Sequence, residues 1–286
     1  AACTAEYTVP PDAWYFAANR NENVPFAVLL EIALQPCGWL AAYCGSALTS
    51  NEDLSFRNLG GKATQFRAVT PDSGPLTTTV KMTSVSNSAG MIIQHYDMLV
   101  RDRVGDVYKG TTYFGFFTKP ALANQIGIRE AKVPWPSEAE QGRALMETLP
   151  HDAPFPAPMM RMVDRVTAYL PDGGSKGLGL VVGAIAVDPE FWFFKAHFYQ
   201  DPVWPGSLGL EACLQLLKYA AWKRWGEPTQ AWRTVSLNKP HSWVYRGQVL
   251  PRDNEVTVVL EVVAADDDNH RLTANGFLTV DGRVIY

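Results

Sequence analysis

Hydrophobic and polar positions fall into two patterns along this chain. Two stretches are apolar nearly all round: 24–48, and the one that opens at Pro205-Gly206-Ser207-Leu208-Gly209-Leu210-Glu211. Each predicts a long helix buried on all sides, interrupted by a carboxylate about one turn in. Around them run alternating segments such as Thr257-Val258-Val259-Leu260-Glu261-Val262-Val263, which suit half-buried antiparallel strands. The pattern predicts strands at 63–69, 76–84, 91–101 and 107–117, then at 233–243, 256–264, 270–280 and the chain end. Turn clusters separate them, as at Pro71-Asp72-Ser73-Gly74 and Asp281-Gly282.

The two halves repeat. Pro25, Glu31 and Leu34-Gln35 recur as Pro205, Glu211 and Leu214-Gln215, at a constant separation of 180. Trp14-Tyr15-Phe16 precedes the first helix and Trp192-Phe193-Phe194 the second. Agreement over several elements points to two copies of one fold: a first copy over 1–117, a linker over 118–153, and a second copy over 154–286. The linker is rich in proline and charge, with a helix expected at 137–148. A strand starting at Met159 opens the second copy, and the first copy shows no such strand. One long helix on several antiparallel strands is an α+β layer, and the two copies are expected to share a sheet.

A hydrophobic fraction of 47% allows a sizeable core, and the net charge of −4 carries no basic stripe, which excludes nucleic-acid binding. The four cysteines, Cys3, Cys37, Cys44 and Cys213, form no C-x-x-C pair and read as reduced thiols of a cytoplasmic protein. The chain lacks an initiator Met and starts and stops abruptly, as a piece cut from a larger polypeptide would. The stretch 24–48 is not expected to span a membrane, because Glu31, Gln35 and Pro36 sit near its middle.

The chemistry concentrates around His197. It precedes Asp201-Pro202-Val203-Trp204-Pro205-Gly206, a stiff turn that delivers the chain to a helix start. Free backbone N–H groups at Gly206 and Ser207 suit developing negative charge. Glu31 and Glu211 each stand on an apolar helix with a glutamine at i+4, Gln35 and Gln215. Such a carboxylate needs a partner or a task, and an equally simple reading makes each pair a polar stripe of its own helix. Cys37 lies half a turn beyond Gln35 and is grouped with Gln35 and Gln215 as a supporting residue. His95, His151, His241 and His270 read as structural or surface residues. No H-E-x-x-H, phosphate-binding loop or dinucleotide motif occurs, so neither metal nor nucleotide is expected.

The second copy resembles the β-hydroxydecanoyl-acyl-carrier-protein dehydratase family, a hotdog fold. The residues that carry this are Pro156-Ala157-Pro158-Met159-Met160-Arg161-Met162-Val163-Asp164-Arg165-Val166, then Asp188 to Phe194, then His197-Phe198 followed by Asp201-Pro202-Val203 and Pro205-Gly206 through Glu211. The tandem arrangement is similar to the dehydratase domains of polyunsaturated fatty acid synthases, which implies a double hotdog. The implied chemistry is cofactor-free dehydration of a 3-hydroxyacyl thioester on acyl carrier protein. His197 would be the base, a carboxylate the acid, and Gly206 the thioester-oxygen donor. In the family dimer each site joins a histidine of one hotdog to a helix carboxylate of the other. Carried over, His197 pairs with Glu31, with Glu211 as second choice. The first copy has no histidine between Phe16 and Glu31. The decanoyl-type enzymes also place Asp where this chain has Glu, so 2-to-3 isomerisation is not implied. Expected partners are acyl carrier protein, other synthase domains and a possible second copy. Two rival readings are a hotdog thioesterase and a non-catalytic acyl-binding hotdog.

Overall fold

The computed structural model describes residues 1–88, 90–227 and 235–286. In chain order the strands are β1 (Ala2–Thr8), β2 (Leu54–Gln65), β3 (Pro75–Ser88), β4 (Met91–Arg101), β5 (Asp106–Thr118), β6 (Leu145–Thr148), β7 (Arg165–Leu170), β8 (Leu180–Ala186), β9 (Pro240–Val244), β10 (Glu255–Asp266), β11 (Arg271–Val280) and β12 (Arg283–Val284). The helices are α1 (Trp14–Asn19), α2 (Phe26–Tyr43), α3 (Lys119–Ala123), α4 (Glu138–Gln141), α5 (Trp192–Ala196) and α6 (Gly206–Trp225). Residues 233–234 of the strand expected at 233–243 lie outside the described residues; of the rest, 235–239 is turn and loop, and the strand β9 begins only at Pro240.

The chain forms two compact units. The first takes Ala1–Phe16, Glu22–Gln125 and Val235–Tyr245; the second takes Ala17–Asn21, Ile126–Thr234 and Arg246–Tyr286. These bounds differ from a division at 117 and 154. The reason is strand pairing: β9 hydrogen-bonds to β2 in the first unit, and β6 hydrogen-bonds to β7 in the second.

In the first unit the sheet runs β1-β3-β4-β5-β2-β9, every neighbour antiparallel. β4 shows why it forms: Ile92, Gln94, Tyr96, Met98 and Val100 are buried while the positions between them are not. The buried Gln94 is satisfied within the unit, donating to Ser46 Oγ at 2.5 Å and accepting from the Tyr96 hydroxyl at 2.7 Å. α2 packs on β1, β3 and β4. Among the described residues it is the one helix long and apolar enough to cross a membrane, yet eleven of its residues are buried, as befits a core helix. Pro36 sits inside it and has no N–H to give Ile32. The orphaned Ile32 carbonyl accepts instead from the Thr78 hydroxyl of β3, at 3.3 Å, where Thr78 is 2% exposed. His241 of β9 is structural, as expected: its Nε2 meets the buried Tyr108 hydroxyl at 2.8 Å. Burial pushes its pKa down to about 4.

In the second unit the sheet runs β12-β11-β10-β8-β7-β6. α6 packs on β8, β10 and β11. Contact is close enough that a Cβ at Gly209 would collide with the Tyr286 ring, so only glycine fits there. A double hotdog is thus the architecture, but the described residues form two six-stranded sheets rather than one shared sheet.

Three local expectations are corrected. The helix at 137–148 is confined to α4, held by a capping box between Ser137 and Glu140, and 145–148 is the strand β6. The strand expected from Met159 starts at Arg165; Pro158–Met160 is a single 3-10 turn, because buried side chains occupy its backbone groups, as described below. The strand expected at 63–69 runs instead over Leu54–Gln65; β1 is the repeat counterpart of β8, so among the described residues the first copy still shows no counterpart of β7.

Thr78→Val is expected to lower stability by about 1 kcal/mol by leaving the Ile32 carbonyl unmet. In a Pro36→Ala background, whose restored N–H reaches that carbonyl, the same change should cost much less. Denaturant titration of the four proteins measures the coupling. His241 sets an acid limit: the unfolded chain takes a proton near pH 6.5 and the folded chain only near 4, so stability falls as pH drops through that window. His241→Gln should flatten the fall in melting temperature between pH 6.5 and 4.

Candidate active site

His197 lies just past the end of α5. Its N–H donates to the Phe193 carbonyl at 2.9 Å, continuing the last turn. The chain then loops out and returns at Val203, whose N–H donates to the His197 carbonyl at 2.8 Å. Inside the loop, Phe198 and Asp201 exchange backbone bonds at 3.1 and 3.2 Å. Pro202 and Pro205 stiffen the return, and Trp204 N–H anchors it to the Val249 carbonyl at 3.0 Å. The loop is therefore closed at its base by the same two residues that frame the histidine.

The ring is held by the second bond of that closure. His197 Nδ1 lies 2.9 Å from the Val203 carbonyl oxygen. A carbonyl can only accept, so Nδ1 carries the proton, and in the neutral ring Nε2 keeps its lone pair. The ring also packs on Phe198 with centroids 3.8 Å apart. The half-buried ring is thus fixed in one tautomer with the other nitrogen free to take a proton.

Three residues further on α6 begins. Pro205 offers no side-chain cap, while its carbonyl accepts from Leu208 and Gly209 at 3.0 and 3.2 Å. The Gly206 and Ser207 N–H groups precede the first residue able to make an intrahelical bond. They form the positive end of the helix dipole, suited to an oxyanion. Ser207 is 2% exposed.

One turn into α6, Glu211 is also 2% exposed, and burial pushes its carboxyl above the usual range, opposed by Lys218 and by the Gln215 amide. Gln215 Nε2 donates to Glu211 Oε1 at 3.2 Å and to the Met160 carbonyl at 2.7 Å, while its Oε1 accepts Met162 N–H at 2.9 Å. Lys218 is buried too and donates to the Pro154 carbonyl at 3.1 Å; burial holds its pKa below the ordinary value. Arg161 donates to the carbonyls of Leu149, Pro150 and Pro156 at 2.8–3.1 Å. The Gln215 and Lys218 bonds hold Pro154, Met160 and Met162 against α6.

In the first unit the matching residues are placed differently. Glu31 is half-buried on α2, Gln35 is exposed, and Cys37 is wholly buried with its thiol pushed up by that burial. Cys37 is a core residue of α2, so its position supports packing. The second unit brings His197, Gly206 and Ser207 into one short segment, with Glu211 and Gln215 on the helix that follows. Sequence reasoning missed the Val203 carbonyl, Lys218 and Arg161. A lysine in an apolar helix and an arginine in a methionine run were the signals for the latter two.

Gln215→Leu leaves the Met162 N–H and Met160 carbonyl buried and unmet. It should cost about 2–4 kcal/mol, read by denaturant unfolding, with faster hydrogen exchange at Met162.

Residues 155–286 match the family of FabA-like domains. The chain is 31% identical to a polyunsaturated fatty acid synthase subunit of Thraustochytrium sp., over an alignment of 311 positions that takes in 98% of this chain. It spans 21% of that relative's length. Two solved structures share the architecture over the whole chain. One is a Lactobacillus plantarum protein assigned as an oleoyl thioesterase, with TM-score 0.55 and 11% identity over 100% of this chain and 93% of that one. The other is a MaoC-like dehydratase, with TM-score 0.52 and 12% identity over 99% and 94%. At such identities they show the fold alone. The chain as a whole thus has the double-hotdog architecture, and its second half, residues 155–286, matches a FabA-like domain.

Proposed function

We propose that this chain is a dehydratase that removes water from a 3-hydroxyacyl thioester on acyl carrier protein, within a synthase of polyunsaturated fatty acids. The observation that carries the reading is the His197 ring, whose Nδ1–H is committed to the Val203 carbonyl and whose Nε2 is left basic, just ahead of an uncapped helix start. The relative's identity as part of a polyunsaturated fatty acid synthase supports the substrate class.

In this reading His197 Nε2 takes the C2 proton of the substrate. The C–H electron pair moves toward the thioester, whose oxygen is met by the Gly206 and Ser207 N–H groups as charge develops. The pair then forms the C2–C3 double bond as the C3–O bond breaks, and a carboxylic acid protonates the departing hydroxyl, releasing water. The product is the trans-2-enoyl thioester, and no cofactor takes part. Glu31 is the acid that the family pattern assigns. Glu211 competes for the role, because burial favours its protonated form, but its hydrogen bond to Gln215 suits a residue that positions the Met160–Met162 segment.

His197→Ala should slow dehydration roughly 10²–10⁴-fold in a protein of unchanged melting temperature. The assay follows enoyl formation from 3-hydroxyacyl carrier protein. Free acid accumulating in place of the enoyl product would show a thioesterase and sink the reading. Glu31→Gln should abolish most turnover, whereas Glu211→Gln should act mainly on stability, by about 1–2 kcal/mol. A dead Glu211→Gln beside an active Glu31→Gln would transfer the acid role to Glu211.

A further inference from the structure

The two long helices are equivalent through the repeat but are covered differently. On α6, the face carrying Gln215, Tyr219, Trp222 and Lys223 is closed by the chain ahead of it. Gln215 bonds Met160 and Met162, the Tyr219 hydroxyl and the Lys223 ammonium both meet the Glu147 carboxylate, and Phe155 stands edge-on to Trp222 at 5.7 Å. Next to it β8 lies between β10 and β7, with six of its seven residues buried. Residues 145–170 thus both cover the helix and complete the sheet.

The first unit lacks this cover among the described residues. The counterparts of Gln215, Tyr219 and Lys223 are Gln35, Trp39 and Tyr43. All three are exposed, Trp39 by 57% and Tyr43 by 76%, and the two rings stack on each other, 5.0 Å apart. β1, the counterpart of β8, is an edge strand paired among the described residues to β3 alone, with five of its seven residues exposed. An open strand edge beside stacked aromatics is a surface that proteins ordinarily cover. Carried back by the repeat separation of 180, the counterparts of 145–170 fall ahead of Ala1.

We propose that this surface is the docking site of an extended segment built like residues 145–170 and lying N-terminal to Ala1 in the full-length polypeptide. The segment adds a strand to the free edge of β1 and lays apolar side chains over Trp39 and Tyr43. It also offers the Gln35 amide a backbone N–H and carbonyl, as Met162 and Met160 do for Gln215. The second unit supplies the template, and the synthase relative, in which the matched region is 21% of the length, shows that such chains extend well beyond it.

The test compares residues 1–286 with a longer piece reaching upstream past the repeat counterpart of Leu145. In the longer piece the Ala2–Thr8 amides that face away from β3 should exchange roughly tenfold or more slowly, and acrylamide should quench Trp39 less, read as the difference from a Trp39→Phe control. Trp39→Glu, at a position exposed in the short piece, should keep 1–286 folded yet abolish the added protection. Equal exchange and quenching in the two pieces would overturn the proposal. So would protection of β1 in 1–286 that grows with protein concentration, which would assign the surface to a second copy.

Discussion

A buried amide must have its bonds met inside the protein or not be there. Gln215 is 1% exposed, and its amide reaches two backbone groups and one carboxyl. Through it Met160 and Met162 are fixed beside α6 and cannot join a ladder, which delays β7 to Arg165. Arg161, between them, turns outward from that grip and gathers three carbonyls of the preceding loop. Among the described residues the charge of Arg161 is buried without a carboxylate in contact, so it stands on those carbonyl dipoles. The Gln215 bonds, together with those of Tyr219 and Lys223 to Glu147 and the β6–β7 pairing, make 145–170 part of the hotdog and not a tether leading into it.

The same economy governs the histidine. Its position follows from a helix end, its loop from two prolines and reciprocal backbone bonds, and its tautomer from one carbonyl. None of these needs a polar partner from a second side chain. Of the exposed loop aromatics, Phe198 packs on the ring, and Tyr199, 88% exposed, points to solvent. The machinery of the proposed base is thus mostly main chain, which explains how a short segment can carry it.

Much of this was legible in the sequence. The repeat of Pro25, Glu31 and Gln35 at 205, 211 and 215 identified both long helices, and alternation gave β4 with its bounds. What escaped had tertiary causes. Residues 137–148 carry good helix formers, but Leu145–Thr148 finds a sheet edge at β7, and pairing there outweighs propensity. Pro36 signals a broken helix, and only the fold reveals a threonine on β3 that takes over the lost bond. At the site, His197 stood out by its turn, whereas the Val203 carbonyl could not, since every residue has one. Gln35 and Gln215 are indistinguishable in the repeat; one is on the surface and the other in the core because only one has chain folded over it.

The closure between His197 and Val203 has a consequence for the traffic of protons. With Nδ1 held against a carbonyl, the ring is one-handed: Nε2 is the single atom through which a proton enters or leaves. Whatever this histidine accepts, it returns from the same point and along the same line. A forward step and its reverse would then share one geometry on one face of a bound molecule, so stereochemistry is written into the backbone at residue 203.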